Sequence, residues 1–394
     1  MLYEKTKVRL VISLGLSQTI GWASSYYLPA VLARSMAESL GYSVSKVYAA
    51  FSLALIIAAL VAPLAGWCID KWGGKRVLVA SNVWFALSLF FLSRAQSEVH
   101  LFLGWSSLGL AMGAGLYDMA FATVVRSYGP ASPPIITGIT LLAGLASTVG
   151  WPVSHYFLIN FSWQTALLVW AVVHLGLALP LNLSLVLPQL PEGLKSPGME
   201  TLSTHEPQRS RVSAMFVLAL AFVFISFCTG AMASHMLGLL QIFGVGVATS
   251  VLAGLTLGPS QVIARLLHLF ALQGLRPINT AIMAVLIFPI GSVFLILFGP
   301  VAAMFVGVTH GFGNGIMTII KGSLPLSIFG KKGYGHRQGL LFLPSGIAQA
   351  FSPFIFSICI DNFGQAAIYT YLAAILLATL FFIRLKGLVY PKGS

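Results

Sequence analysis

Residues 66–76 read GWCIDKWGGKR and stand between two long runs that hold almost no charge. One acid, three bases and two adjacent glycines fall within this short stretch. Only 8% of the 394 residues are charged, whereas a typical soluble domain carries about 25%. The stretch therefore predicts a polar connection between two apolar segments, and those flanking segments decide the fold.

Apolar runs recur from one end of the chain to the other, and 58% of the residues are hydrophobic. Each run reaches the roughly 20 residues that cross a hydrocarbon core as a helix. Backbone groups in that core must bond one another, and the alternation typical of a membrane barrel is absent. We therefore predict an all-α membrane protein with twelve transmembrane helices near 9–33, 46–69, 77–94, 99–126, 134–159, 164–187, 212–239, 246–269, 278–298, 300–320, 338–360 and 365–385.

One long polar segment, 188–211, interrupts this series and is rich in Pro, Ser, Glu and Gly. It predicts a cytoplasmic linker between an N-terminal six-helix half, 1–187, and a C-terminal six-helix half, 212–394. A weak internal repeat favours the same division, because Gly113-Ala-Gly115 recurs as Gly311-Phe-Gly313. Parallel six-helix halves related in this way are one layout of secondary transporters.

The basic residues give the orientation. With the N-terminus inside, all but three of the 22 Lys and Arg fall on the cytoplasmic side, the exceptions being Arg34, Lys46 and Arg94. Both termini are therefore predicted to be cytoplasmic, and the first run is interpreted as a retained helix rather than a signal peptide. This distribution explains the net charge of +13 through membrane topology, without a nucleic-acid partner.

The three cysteines, Cys68, Cys228 and Cys359, are isolated and show neither metal-ligand nor disulfide spacing. No sequence motif indicates an enzyme, and no cofactor or metal is expected. The bilayer and a small-molecule substrate are the predicted partners of a monomer in a bacterial inner membrane.

The opening stretch reads Gly66-x-x-x-Asp70-Lys71-x-Gly73-Gly74-Lys75-Arg76 between spans 2 and 3. It resembles the loop between helices 2 and 3 of the major facilitator superfamily, although Gly74 stands where that family more often has a basic residue. The resemblance implies a latch at the inner surface that stabilises the outward-open state. The alternative is a loop that is basic only because it faces the cytoplasm. The latch residues would be Gly66, Asp70, Lys71, Gly73, Lys75 and Arg76.

Ionisable residues inside spans are candidates for function because burying them is unfavourable. Asp118 is the single acid well inside a span, and it would carry a coupling proton, contact the substrate or pair with Arg126. His310, four residues before Asn314 on the same helix face, is the second coupling candidate. Its alternative role is a core histidine bonded to a backbone carbonyl.

Gln18, Trp22 and Tyr26 recur every four residues along span 1 and form a polar and aromatic stripe. Such a stripe suits a substrate cavity, and packing between helices is the alternative. Arg265 and Lys321 are expected to extend to the membrane surface from inner helix ends. The remaining cavity candidates are Trp151, His155, Asn314 and Gln349.

These features together predict a secondary active transporter that moves a small organic anion, zwitterion or metabolite by alternating access, with proton coupling. One alternative is proton-driven efflux of amphipathic drug-like compounds. Another is a membrane receptor that has the same fold and does not transport.

Overall fold

The structure is a computed structural model that describes residues 2–187, 208–272 and 274–390, without the side chains of 2–5 and 208–210. Every regular element within these ranges is helical. The predicted 188–211 linker lies outside the described residues except at its end, where a helix begins at Gln208. The predicted boundaries of the two halves therefore stay predictions.

The helices before the linker overlap the predicted spans, although some spans hold two helices. They are α1 Leu2–Ala23, α2 Pro29–Leu40, α3 Val44–Trp72, α4 Gly74–Ser93, α5 Glu98–Gly115, α6 Tyr117–Tyr128, α7 Ser132–Ala143, α8 Ala146–Asn160, α9 Trp163–Val173 and α10 Leu179–Leu183, with a π-helical turn at His174–Ala178 and a 3-10 turn at Gly129–Ala131.

The helices after the linker do so as well. They are α11 Gln208–Ile242, α12 Val247–Leu255, α13 Leu257–Leu267, α14 Pro277–Phe298, α15 Ala303–Phe329, α16 Tyr334–Phe363 and α17 Ala367–Val389, with a π-helical turn at His268–Leu272 and 3-10 turns at Gly299–Ala302 and Gly364–Ala366.

Several predicted spans are interrupted. The first predicted helix, 9–33, ends at Ala23, and a separate helix starts at Pro29, whose fixed φ suits a first helical position. The fourth, 99–126, breaks at Leu116, where φ −85° and ψ −169° are extended. Breaks of this kind are tolerated at membrane depth only where protein or water satisfies the freed backbone groups.

Eight helical stretches of the described chain are long and apolar enough to cross a membrane. Three of them, Glu98–Asn160, Pro277–Phe329 and Tyr334–Val389, hold 53 to 63 residues. Since a crossing needs about 20 residues, each of these three is longer than one crossing. The count of twelve transmembrane helices remains a prediction.

The chain divides into two compact units. Unit 1 contains residues 1–192 together with 331–343, and unit 2 contains 193–330 together with 344–394. The segment 331–343, which includes the start of α16, thus belongs with helices that precede it by a long stretch of sequence. We call this segment the α16 start.

In unit 1, glycines on α5 allow its backbone to contact its neighbours directly. A Cβ on Gly113 would lie 2.5 Å from the carbonyl oxygen of Ala58 on α3. A Cβ on Gly115 would lie 2.6 Å from Ser81 Oγ and 3.0 Å from the ring of Phe85 on α4. Helices in lipid associate by this close packing, because the hydrophobic effect does not drive them together there.

The same contacts recur in unit 2 around α15. A Cβ on Gly311 would lie 2.6 Å from the carbonyl oxygen of Leu257 on α13, and one on Gly313 would lie 2.5 Å from the ring of Phe288 on α14. The glycine pairs of the sequence repeat therefore occupy matching positions within their own units.

The contact at Gly311 gives a stability prediction. We expect Gly311→Ala to destabilise the protein by about 1–3 kcal/mol, since the added methyl group meets backbone atoms that cannot move aside. Gly258→Ala on α13 is the matched control, because nothing lies within 4 Å of its Cβ position. The unfolding temperature of each variant is measured in detergent, with size-exclusion chromatography as the readout of folded protein. Equal unfolding temperatures would contradict the close-packing argument.

Candidate functional site

The carboxylate of Asp70, near the end of α3, accepts hydrogen bonds from the first amides of α16. Gly335 N donates to Oδ1 at 3.0 Å, and His336 N donates to Oδ2 at 2.8 Å. The first amides of a helix have no partner within the helix, and the helix dipole favours an anion beside them. Asp70 therefore holds the α16 start against α3 inside unit 1.

Small residues make this approach possible. Gly66, one turn before Asp70, faces the carbonyl of Gly335 so closely that a Cβ at either glycine would collide with the other backbone. A Cβ on Gly339 would meet the backbone of Ala62 in the same way. His336 adds a side-chain bond, since its Nδ1 lies 3.0 Å from the carbonyl oxygen of Pro63.

The turn after Asp70 depends on glycine. Gly73 has φ +90°, a conformation that side chains disfavour, and it separates α3 from α4. Arg126, from the last turn of α6, donates through Nη1 to the backbone oxygen of Asp70. Arg126, which the sequence analysis gave as a possible partner of Asp118, is thus bonded to the 66–76 stretch.

The three bases of that stretch differ in their surroundings. Lys75 is half-buried and donates to the carbonyl oxygen of Leu185 at 3.2 Å. Lys71 is exposed, with Nζ 4.8 Å from the ring centre of Trp67 and 5.8 Å from that of Trp72, and Arg76 is exposed. Lys71 therefore has cation–π contacts, whereas Lys75 helps to fix the loop itself.

Asp118 lies in the first turn of α6, directly after the break at Leu116, and is half-buried. Its Oδ1 accepts a hydrogen bond of 2.8 Å from Gln338 Nε2, and Gln338 is 2% exposed. Gln338 belongs to the α16 start, so both Asp70 and Asp118 bond that segment.

Gln18 and Trp22 of the predicted stripe lie on α1 against the same break, whereas Tyr26 follows the end of α1 at Ala23 and is not on the helix as predicted. Gln18 is 1% exposed, and its Nε2 donates to the carbonyl oxygen of Gly115 at 2.7 Å. Trp22 packs against Tyr26 at 5.2 Å and against Tyr117 at 4.9 Å between ring centres. The structure thus brings the predicted stripe next to the interrupted helix.

Two further cavity candidates lie on α8. Trp151 is 43% exposed, and its Nε1 donates to the carbonyl oxygen of Tyr27 at 3.2 Å. His155 is exposed one turn further along. Trp151 therefore contacts Tyr27, whose ring packs near those of Trp22 and Tyr26 of the stripe.

Within unit 2, His310 is 4% exposed and its Nδ1 lies 3.0 Å from Tyr371 Oη. The hydroxyl of Tyr371 also lies 3.4 Å from the carbonyl oxygen of Phe288. The histidine partner is thus a tyrosine rather than the backbone carbonyl offered as an alternative. Asn314 and Gln349 are half-buried.

Arg265 was assigned wrongly from the sequence. It is 3% exposed, so it does not extend to the surface. Its Nη2 lies 3.2 Å from Gln261 Oε1, while Nε and Nη1 are buried and have no hydrogen-bond partner among the described residues. The sequence does show a cation within an apolar run at this position. The predicted span 246–269, however, placed Arg265 near the inner end of its helix.

A second polar cluster was missed in unit 1. His174 is fully buried, with Nε2 2.8 Å from Ser24 Oγ and Nδ1 3.0 Å from Asn82 Oδ1. Asn82 donates its amide to the carbonyl oxygen of Leu78, which makes Oδ1 the atom that faces the ring. His174 Nδ1 therefore carries the proton and donates to Asn82 Oδ1. These bonds join α1, α4 and the π-helical turn.

Long apolar helices, glycine-mediated contacts and polar side chains inside the spans define a polytopic α-helical membrane protein. A family model described as Major Facilitator Superfamily matches residues 14–324. The chain belongs to this family.

Solved structures agree with that assignment at the level of fold. The human organic anion transporter MFSD10 (TETRAN) is 16% identical with a TM-score of 0.71, over 95% of this chain and 99% of that chain. The Major Facilitator Superfamily transporter FucP, in the outward conformation, is 13% identical with a TM-score of 0.72, over 96% of this chain and 99% of that chain.

A curated protein is similar in sequence. Monocarboxylate transporter 11 of Mus musculus is 29% identical over 170 residues, which are 42% of this chain but only 35% of that protein.

The contacts of Asp70 predict how firmly the α16 start is held. We expect Asp70→Asn to speed amide exchange at Gly335 and His336 about tenfold or more, because bonds to a charged acceptor are worth about 1.5–3 kcal/mol. Hydrogen–deuterium exchange of a peptide covering 331–343 measures this in nanodiscs. Asp361→Asn, at an exposed acid, is the matched control. Unchanged exchange in Asp70→Asn would favour the alternative, in which the 66–76 stretch is basic only because it faces the cytoplasm.

Proposed function

We propose that this protein is a secondary transporter that carries a small organic anion by alternating access. The observation that supports this most strongly is Arg265, a buried guanidinium with two nitrogen atoms that lack partners among the described residues. Burying a charge without a partner is strongly unfavourable. A carboxylate matches the planar fork of an arginine and would supply the missing acceptors.

The charges inside unit 2 favour an anion in the same way. Lys321, on α15, is half-buried and donates to Ser226 Oγ at 2.9 Å, so it too is directed at a buried group rather than at the surface. Asp361, the one acidic residue of unit 2 that the structure describes, is exposed at the far end of α16. The interior of this unit therefore holds a buried guanidinium and a half-buried ammonium group, which together favour a negatively charged solute.

The comparisons support the same class of solute. Two of the similar proteins are described as a monocarboxylate transporter and an organic anion transporter. These similarities are too distant to carry a substrate over by themselves. They agree with the chemistry of Arg265, which is an observation on this chain.

Alternating access is supported by the reversible character of the contacts at the α16 start. Asp70 holds this segment through hydrogen bonds at a helix end and not through an apolar interface. Bonds of this kind break and reform without loss of helix structure. We infer that Asp70, Gly66 and Gly73 form a latch whose release accompanies one half of the transport cycle.

Proton coupling is the proposed energy source, with Asp118 as the carrier and His310 as the second candidate. Asp118 bonds Gln338 of the α16 start, so a change in its charge would alter a contact made by the same segment that Asp70 holds. His310 bonds Tyr371 inside unit 2. The position of Asp118 therefore favours it.

A bacterial inner membrane, cytoplasmic termini and a monomeric state complete the proposal. Efflux of drug-like compounds is less favoured, because cationic groups in unit 2 do not select such solutes. A receptor that does not transport would bind the anion but move none of it. Flux measurements on the purified protein separate these possibilities.

The role of Arg265 is tested with radiolabelled monocarboxylates and their uncharged amides in proteoliposomes. We expect carboxylate uptake by the natural protein and no uptake of the amides. Arg265→Gln should weaken carboxylate binding by about thirtyfold or more, since removing one partner of a buried charge pair costs about 2–5 kcal/mol. Arg265→Lys keeps the charge but not the fork and should give a smaller loss.

Arg384→Gln is the matched control, because Arg384 is an exposed arginine of the same unit. Carboxylate binding that is equal in Arg265→Gln and in the control would remove Arg265 from the site. Binding without flux in the natural protein would favour the receptor over the transporter.

The role of Asp118 is tested by Asp118→Asn, which keeps the shape of the side chain and removes its titration. We expect accumulation driven by a pH gradient to collapse while exchange of labelled for unlabelled solute persists. The same proteoliposomes report both quantities. Normal accumulation would exclude Asp118 as the carrier and leave His310, whereas loss of binding would assign Asp118 to the substrate.

A further inference from the structure

The α1 stripe carries two buried polar atoms without a partner. Oε1 of Gln18 and Nε1 of Trp22 are both shielded from solvent and make no hydrogen bond to any described residue. The first atom only accepts hydrogen bonds and the second only donates them. Buried polar groups nearly always have hydrogen-bond partners in native structures. Two such atoms without partners, one helical turn apart, therefore indicate that a ligand or a second conformation supplies the missing bonds.

Each of the two side chains is otherwise held firmly. The Gln18 amide nitrogen is fixed by the carbonyl oxygen of Gly115 at 2.7 Å, which leaves Oε1 as the open end. The Trp22 ring lies between Tyr26 and Tyr117, whose centres are 5.2 Å and 4.9 Å away. The acceptor and the donor are therefore presented in fixed directions beside aromatic faces.

A joint between two helices, the break at Leu116, lies next to the pair. Gly115 is the last residue of α5, Leu116 is extended, and Tyr117 is the first residue of α6. A Cβ on Gly21 would lie 3.1 Å from Leu116, so α1 packs directly on the break. Access of a ligand to both open atoms requires a displacement at this joint, because Tyr117 packs on Trp22 and the carbonyl oxygen of Gly115 holds Gln18.

We propose that Gln18 and Trp22 form a binding subsite in unit 1 for an uncharged planar group that carries one hydrogen-bond donor and one acceptor, such as an aromatic ring bearing an amide. The donor of the ligand bonds Gln18 Oε1, its acceptor bonds Trp22 Nε1, and its ring packs on the aromatic side chains. Gln18, Trp22, Tyr26 and Tyr117 bring no charge to the subsite. This inference goes beyond anion transport and does not rest on it.

Three soluble probes with the same ring test the subsite by calorimetric titration of the protein in nanodiscs. Benzamide offers a donor and an acceptor, N,N-dimethylbenzamide keeps only the acceptor, and benzoate is charged. We expect benzamide to bind about fivefold or more tightly than the dimethyl compound, which is the effect of one hydrogen bond. Equal binding of the two amides, or no binding of benzamide, would overturn the proposal.

Two variants assign the bonds. Trp22→Phe keeps a ring and removes the donor, so it should weaken both amides by the same factor, about fivefold. Gln18→Leu removes the acceptor and should abolish the preference for benzamide over the dimethyl compound. Unfolding temperatures establish whether each variant is folded. If Gln18→Leu does not fold, the test rests on Trp22→Phe. Benzamide binding unchanged in folded Trp22→Phe would overturn the inference.

Trp84→Phe is the matched control, since Trp84 is 45% exposed and its Nε1 already donates to the carbonyl oxygen of Ser107. The result of this test can be distinguished from the result of the Arg265 test, because the two proposed sites bind different probes. If Arg265→Gln loses benzoate and keeps benzamide, the anion site and this subsite are distinct. If it loses benzamide while Trp22→Phe does not, the uncharged subsite is wrong and the anion proposal stands.

Discussion

Close approach of helix backbones at glycine is the constraint on which each unit depends. Helices in lipid gain little from burying apolar surface, so packing between their backbones must hold them. Gly113 and Gly311 meet carbonyl oxygens of neighbouring helices at positions where any side chain would intrude. The same rule governs the opening stretch, where Gly66 and Gly335 let α3 reach the α16 start.

Sequence reasoning was strong where hydropathy decides and weak where tertiary contacts decide. The helical segments followed from apolar runs, and the paired glycines of the repeat occupy matching contacts in the two units. The break at Leu116 was missed, because Gln18, far away in sequence, satisfies the carbonyl of Gly115 there. Arg265 was misplaced, since its burial depends on packing that no local pattern records.

The α16 start shows how two acids of different surroundings act on one short segment. Asp70 bonds its backbone amides, and Asp118 bonds the side chain of Gln338 one turn later. The first contact depends on a charge that faces a helix end and is partly screened by solvent. The second carboxylate is half-buried as well, and it meets the buried side-chain amide of Gln338 instead of backbone groups. Two separate carboxylates therefore hold the segment.

The break at Leu116 connects these contacts to the open polar pair on α1. Gln18 bonds the residue before the break, Tyr117 after it covers Trp22, and Asp118 follows directly. A ligand that satisfies Gln18 and Trp22 favours whichever arrangement of the joint leaves both atoms accessible, and it does so only by its difference in affinity for the two arrangements. In the proposed mechanism a shift of α6 would carry Asp118 with it and alter its bond to Gln338. The two proposals thereby meet within unit 1 at three consecutive residues, 116–118, where solute recognition would bear on docking of the α16 start.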